Sequence, residues 1–212
     1  GAITLPARLL TEIVNNLPAA PVHLRVEEGG TQAEIQCEET VFEILGLPAT
    51  DFPFIPEPDA TVVVTLEAGL LRGMVRQTVF AVSTDETRPF LTGVFFTTED
   101  RTVRLVATDG GRLALRTASL GQQAKQKFAV IVPAKTMHEL ARALSGVNGD
   151  VTVALAENHL VFSLPDVRLV SRLIAGQFPN YQQVIPQGYK QTLRLQTERF
   201  LRAIRRAAIT AR

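Results

Sequence analysis

Histidine, cysteine and paired carboxylates, the side chains that most often carry acid–base or metal chemistry, are sparse and scattered in this sequence. His23 and His159 fall in or beside strand-type runs and His138 on a helix, with no cysteine or second histidine at metal-ligand spacing. Cys37 is the single cysteine, so no internal disulfide or cysteine zinc site can form, and its β-rich surroundings predict a core position. Asp85-Glu86 and Glu99-Asp100 read as solvated loop acids, and Asp109-Gly110-Gly111 lacks the glycine spacing and lysine of a phosphate-cradling loop. No nucleophile, base and orienting group can be assembled into one set, so no catalytic residue, metal or cofactor is expected.

The basic residues do show a pattern. Helical periodicity over 6–16, 67–82, 134–144 and 197–212 gathers ten of the 22 basic residues, Arg8, Arg72, Arg76, Lys135, Arg142, Arg199, Arg202, Arg205, Arg206 and Arg212, against four acids, Glu12, Glu67, Glu139 and Glu198. The helices therefore sum to +6 in a chain whose net charge is only +1. Arg199, Arg202 and Arg206 fall on one stripe, opposite Phe200, Leu201, Ile204 and Ala208. Arg72 pairs with Arg76 at i,i+4, and Lys135 with Arg142 at i,i+7. Any one such stripe is an ordinary solvated helix face. Four together, on one surface, would make a track for phosphates, and the low aromatic content favours duplex over stacked single strands.

The elements that must position these residues come as repeats. Ile3-Thr4-Leu5-Pro6-Ala7-Arg8, with Glu12 and Leu17, recurs as Val130-Ile131-Val132-Pro133-Ala134-Lys135, with Glu139 and Leu144, about 127 residues on. Asp51-Phe52-Pro53 with Ile55-Pro56 recurs as Gln177-Phe178-Pro179 with Ile185-Pro186, each copy expected to precede a strand and a helix. Helix starts spaced about 61 to 66 residues apart divide each module into two subunits of strand, helix and three strands. The strand-type runs are 22–26, 33–37, 40–45, 61–65, 91–97, 103–107, 112–117, 151–155, 160–164 and 167–174. Turn signals at Glu28-Gly29-Gly30, Asp109-Gly110-Gly111, Glu157-Asn158 and Pro165-Asp166 predict antiparallel hairpins, with Asp109-Gly110 as a type I′ turn if read on spacing alone. One helix per four strands covers only one face of a sheet, so the helices should form a single layer. The fold class is α+β.

At 212 residues, 46% hydrophobic and 20% charged, the composition is that of a globular chain of one large or two small domains. Its apolar runs are strand-sized and no basic-then-apolar segment opens the sequence, so a cytoplasmic location is expected, with no membrane contact.

Three blocks, Phe178-Pro179-Asn180-Tyr181, Leu91-Thr92-Gly93-Val94-Phe95-Phe96 and Val106-Ala107-Thr108-Asp109-Gly110-Gly111-Arg112-Leu113-Ala114, resemble the bacterial sliding clamp family, the beta subunit of DNA polymerase III. The resemblance runs the whole length. It implies the DNA clamp fold, with repeated strand-helix-three-strand units, antiparallel sheets outside and one layer of helices inside. It also implies a fragment: the end of a first clamp domain over 1–57, a complete middle domain over 58–180 and the start of a third over 181–212. Such proteins are non-catalytic processivity factors that close as head-to-tail homodimers around double-stranded DNA. On that basis Arg8, Arg72, Arg76, Lys135, Arg142, Arg199, Arg202 and Arg206 would face DNA. A family pocket for short peptides of the DNA polymerase III catalytic subunit, the clamp loader and repair polymerases would here use Leu91, Thr108, Gly110, Gly111, Arg112, Leu113, Pro179, Gln183 and Val184. Gly111 stands where many relatives have His, and Gln183 where some have Arg, which would make one side of the pocket less polar. For Phe178 the expectation is core packing. Two other classes fit the residues alone: a metal-dependent phosphodiester enzyme using loop acids and basic helices, and a repeat-built protein scaffold without nucleic acid.

Overall fold

The computed structural model describes residues 1–27, 29–52, 62–121 and 127–211, and the chain divides into two compact units, Gly1–Asp59 and Ala60–Arg212. The first unit runs β1 (Ile3–Thr4), α1 (Ala7–Asn15), β2 (Val22–Val26), β3 (Gln32–Cys37), β4 (Thr40–Leu45) and β5 (Leu47–Pro48). Strands β2, β3 and β4 form an antiparallel meander, and β5 pairs antiparallel with β1. Alternation on β3 buries Ala33, Ile35 and Cys37, so the lone cysteine is core. Gly29 takes the positive φ that the β2–β3 connection requires.

The second unit contains two copies of one element order. The first is β6 (Val62–Glu67), α2 (Ala68–Arg76), β7 (Gly93–Glu99), β8 (Thr102–Thr108) and β9 (Leu113–Ser119). The second is β10 (Phe128–Pro133), α3 (Ala134–Ala143), β11 (Asp150–Ala156), β12 (His159–Ser163) and β13 (Arg168–Arg172), and α4 (Thr197–Ala207) follows. The sheets are not the copies. Their strand orders are β10-β7-β8-β9 and β13-β12-β11-β6, all antiparallel, so each copy gives its leading strand to the other copy's three-stranded meander. This reciprocal exchange ties both halves into one core, which neither four-stranded sheet could complete alone.

Pleating sorts the side chains of the first sheet. Val94 and Phe96 of β7, Val103 and Leu105 of β8, and Phe128 and Val132 of β10 face inward. They join Val151, Val153, Leu160 and Phe162 of the second sheet. Leu71, Met74 and Val75 of α2 and Met137 and Leu140 of α3 enter the same core, which places both helices on one side of the sheets. Glu67 caps α2, its carboxylate accepting from the Gly69 and Leu70 backbone N–H groups at 3.1 Å each. Pro133 and Pro6 lead into α3 and α1 with φ near −53° and −63°, the repeat signal in structural form. Arg72 of α2 donates from Nε to the Ala141 carbonyl at 3.2 Å and from Nη2 to Ser145 Oγ at 3.3 Å, satisfying a carbonyl at the C-terminal end of α3.

Several expected boundaries move. The helix expected over 67–82 ends at Arg76, because Thr78 leaves helical geometry at φ −126° and donates from its hydroxyl to the Met74 carbonyl at 2.9 Å; a short 3₁₀ turn at Val79–Ala81 follows. Leu91, expected in a strand, lies instead in the 3₁₀ turn Pro89–Leu91, since Pro89 fixes a turn geometry and the Leu91 and Thr92 N–H groups bond back to Arg88 and Pro89. Arg112 sits in the β8–β9 loop and not in the strand. The last helix ends at Ala207, with Thr210 and Ala211 outside it. No strand forms between residues 184 and 196: Leu193 and Leu195 are exposed, and an extended segment without a neighbouring strand has no ladder to join. The first repeat's Pro53, Ile55, Pro56 and the strand start at Thr61 lie outside the described residues, as does Glu28.

Gly93 opens β7 where a side chain has no room, because a Cβ there would lie 2.6 Å from the Val132 carbonyl oxygen and 2.7 Å from Ile131 Cγ2. The close contact is to backbone, so Gly93→Ala is expected to push β7 from β10 and cost about 1–3 kcal/mol of stability. A thermal or denaturant melt checks it; an unchanged midpoint would reject the close-approach account.

Candidate functional site

The face of the β10-β7-β8-β9 sheet turned away from the helices carries a second apolar cluster. Ile131, Phe95, Val106 and Leu113 project outward from its four strands, and Phe90, Leu91, Ile174, Phe178 and Tyr181 close over them. Phe178 is core, as expected, stacked on Phe95 with centroids 4.7 Å apart and planes within 1°, and Tyr181 meets Phe95 edge-on at 6.3 Å. The stack anchors the segment after β13 against the sheet and leaves an open cavity of about 570 Å³ beside it.

Leu91, Thr108, Gly110, Gly111, Arg112, Leu113, Pro179 and Val184, eight of the nine residues proposed for one pocket, line this cavity. Gln183 does not. It lies exposed in the 3₁₀ turn Tyr181–Gln183, where residues three apart share a face, so Tyr181 and Val184 turn to the cavity and Gln183 elsewhere. Arg88, Phe90, Asn180 and Tyr181 also line it and were not singled out from sequence. Asn180 and Tyr181 belong to one of the three blocks that carry the resemblance, which could have found them; Arg88 carried only its Asp85 spacing as a signal.

The β8–β9 loop holds its shape by hydrogen bonds from Asp109 and Thr108. Asp109 Oδ1 accepts from the Gly111 and Arg112 N–H groups at 2.9 Å each, Oδ2 from Arg112 Nε at 3.0 Å, and Thr108 Oγ1 donates to the Arg112 carbonyl at 2.7 Å. Only Gly110 of this loop has positive φ, +94°, so the loop is not the type I′ turn that spacing alone suggests, which needs two consecutive positive φ values. The Arg112 and Gly111 backbone donors, and then the Arg112 charge, hold the Asp109 carboxyl below the ordinary aspartate range. The ionised cap is therefore fully present above the unfolded pKa of about 3.9 and is lost only as pH falls through the lower folded value.

Gly110 and Gly111 differ physically. A Cβ at Gly111 would meet only Asp109 Oδ1 at 3.5 Å, ordinary contact, whereas Gly110 needs its positive φ. Gly110→Ala is expected to cost about 1 kcal/mol or more, while Gly111→His folds as the parent does and projects an imidazole at the cavity wall. Parallel thermal melts check both; equal losses at the two positions would contradict the distinction.

The basic candidates remain on helices: Arg8 on α1, Arg72 and Arg76 on α2, Lys135 and Arg142 on α3, and Arg199, Arg202 and Arg206 on α4. The observed helices hold nine basic and three acidic residues, with Glu67 now a cap. Arg72 is engaged with α3, Arg142 pairs with Glu139 at 3.2 Å and Arg202 with Glu198 at 3.7 Å. Among the described residues Arg8, Arg76, Lys135, Arg199 and Arg206 are exposed without an acid partner. No described group of three or more His, Cys, Asp or Glu residues could hold a metal, and no described helix is long and apolar enough to cross a membrane.

Paired strand-exchanged units, with helices on one side and an apolar cavity on the other, define a clamp-type repeat protein. Comparison with solved structures gives the same class: the DNA polymerase sliding clamp from Bacillus subtilis superposes with TM-score 0.93 at 37% identity, over 100% of this chain and 56% of that one. The DNA polymerase III subunit beta from Pseudomonas aeruginosa gives 0.82 at 33% identity, over 89% and 52%. The central-domain model of the DNA polymerase III beta subunit matches residues 65–180 and its N-terminal-domain model residues 1–56. The chain belongs to the DNA polymerase III beta subunit family. The Beta sliding clamp of Bacillus subtilis strain 168 is 37% identical over 212 residues, and that of Staphylococcus aureus strain Mu50 33%, each alignment covering 100% of this chain. The chain spans about half the length of these relatives, 56%.

Proposed function

We propose that this chain is part of a DNA polymerase III sliding clamp, a non-catalytic processivity factor whose helices face duplex DNA and whose outer cavity tethers the replicative polymerase and other partners. The observation that carries the reading is the full-length match at TM-score 0.93 to a sliding clamp, together with a helix layer of net +6. The same reading assigns residues 1–57, 58–180 and 181–212 to the end of a first, the whole of a second and the start of a third clamp domain. The complete clamp would close as a head-to-tail homodimer and meet the clamp loader and repair polymerases through peptides seated in the cavity.

The apolar outer cavity suits peptide capture because buried anchors surrounded by a few oriented polar groups concentrate binding energy. The basic helices suit phosphate contacts, which carry no base information.

The experiment is titration of short duplexes of unrelated sequence against the chain at low and raised salt, with and without magnesium. Weak, salt-sensitive binding indifferent to sequence is expected, with the DNA intact. Magnesium-dependent cleavage would favour the phosphodiester enzyme, and no binding at low salt would favour a scaffold without nucleic acid.

A further inference from the structure

Two arginines on the cavity wall are mounted in the same way on unrelated turns. In the turn before Pro89, Asp85 Oδ1 accepts from the Thr87 N–H at 3.0 Å and the Thr87 hydroxyl at 2.6 Å, and Oδ2 accepts from Arg88 Nε at 3.0 Å. In the β8–β9 loop, Asp109 Oδ1 accepts from two backbone N–H groups and Oδ2 from Arg112 Nε, again at 3.0 Å. Each aspartate thus spends one oxygen fixing its own turn and the other fixing an arginine three residues on. Both carboxyls are held below the ordinary aspartate range, Asp85 chiefly by Thr87 and Asp109 chiefly by the Arg112 and Gly111 N–H groups. In both cases only Nε is taken, and the paired Nη donors of each guanidinium have no printed partner among the described residues.

The two mounts converge on one opening. Arg88 Nη1 lies 3.6 Å from where a Cβ of Gly110 would be, so the guanidinium of one turn passes beside the loop that carries the other. Arg112 is held from a further side by the ring of Phe80, with Cζ 5.8 Å from the centroid, a contact that orients the guanidinium plane without using its hydrogen-bond donors. Both side chains are about half exposed, at 46% and 58%, so they are accessible at the rim and not buried in ion pairs.

Resting on the cavity reading above, we propose that Arg88 and Arg112 form a paired carboxylate receptor on the cavity rim, and that the peptide this cavity accepts carries an acidic side chain beside its apolar anchor. Planar guanidinium groups present parallel N–H donors that match a carboxylate, and their orientation by Asp85, Asp109 and Phe80 lowers the ordering cost of binding. The apolar wall of Leu91, Leu113 and Val184 supplies the anchor contact, and the rim supplies the choice among anchors.

The test uses the 212-residue chain and labelled five-residue peptides bearing two leucines, with Asp before, between or after them, each with an Asn twin and a twin in which both leucines are Ala. At least one Asp peptide is expected to bind about fivefold more tightly than its Asn twin, the gap narrowing at high salt. The gap should shrink in R88Q and in R112Q and vanish in the double variant, with melts confirming folding. Equal affinity of every Asp and Asn pair would overturn the receptor while leaving the cavity reading intact, as would a gap that survives in the folded double variant. Binding by no leucine peptide, or equal binding by the Ala twins, would overturn the cavity reading and the receptor with it.

Discussion

Replacing Leu91 and Leu113 together by Ala is expected to lower the affinity for a polymerase-derived peptide by about a hundredfold, roughly 3 kcal/mol. Both side chains belong to the apolar cluster under the cavity, Leu91 at 4% exposure and Leu113 half-buried, and a partner's apolar anchor would rest on them. Part of the damage would be to the fold, since truncating a buried leucine also leaves a void worth about 2–5 kcal/mol. Val184→Asn separates the two effects. Val184 is 68% exposed yet lines the same cavity, so the substitution leaves the core intact while placing an amide on the apolar wall. Its expected loss is about tenfold, near 1.4 kcal/mol, with an unchanged melting midpoint. Anisotropy titrations of one labelled peptide against parent, double variant and Val184→Asn decide the matter. Parent-like affinity in a folded Leu91/Leu113 variant, with Val184→Asn also neutral, would remove the cavity from the binding site.

The element order was legible because every helix start carried a signal: proline before α1 and α3, Glu67 before α2, and an arginine stripe on α4. The exchange of β6 and β10 between copies was not. A repeat specifies which elements recur, but hydrogen bonding within one copy and between copies uses the same strands and the same alternation, so the pattern is silent on the choice. The cavity residues were reached through the resemblance and not through spacing, and the pleat explains why. Leu113 and Phe95 share the outer face of one sheet, but Leu91 and Val184 join them only through a 3₁₀ turn and the Phe178–Phe95 stack, which are tertiary facts. The same cause put Gln183 on the wrong side, since its position within a three-residue turn decides its direction. Arg88 was missed because an exposed i,i+3 ion pair is by itself unremarkable; its meaning lies in the second, identical mount across the opening.

Changing Arg76, Lys135, Arg199 and Arg206 together to Ala is expected to weaken duplex binding equally for all sequences and to reduce its dependence on salt. If each meets one phosphate, the slope of log affinity against log salt should fall by about 3.6, at roughly 0.9 per contact. These four are the informative set because each is exposed on a helix without an acid partner among the described residues, so its charge is available in full. Arg72 behaves differently. Its Nε and Nη2 are spent on the Ala141 carbonyl and Ser145 at the end of α3, so Arg72→Ala is expected to lower the melting midpoint while changing the salt slope little. The contrast matters because the two arginines share one face of α2 at i,i+4, and spacing alone assigns them the same task. Filter-binding or anisotropy titrations from about 20 to 200 mM salt, on two duplexes of unrelated sequence, give the slopes. An unchanged slope in the folded quadruple variant would sink the proposal that the helix layer meets the phosphates, and a strong preference for one duplex in the parent would replace it with base readout.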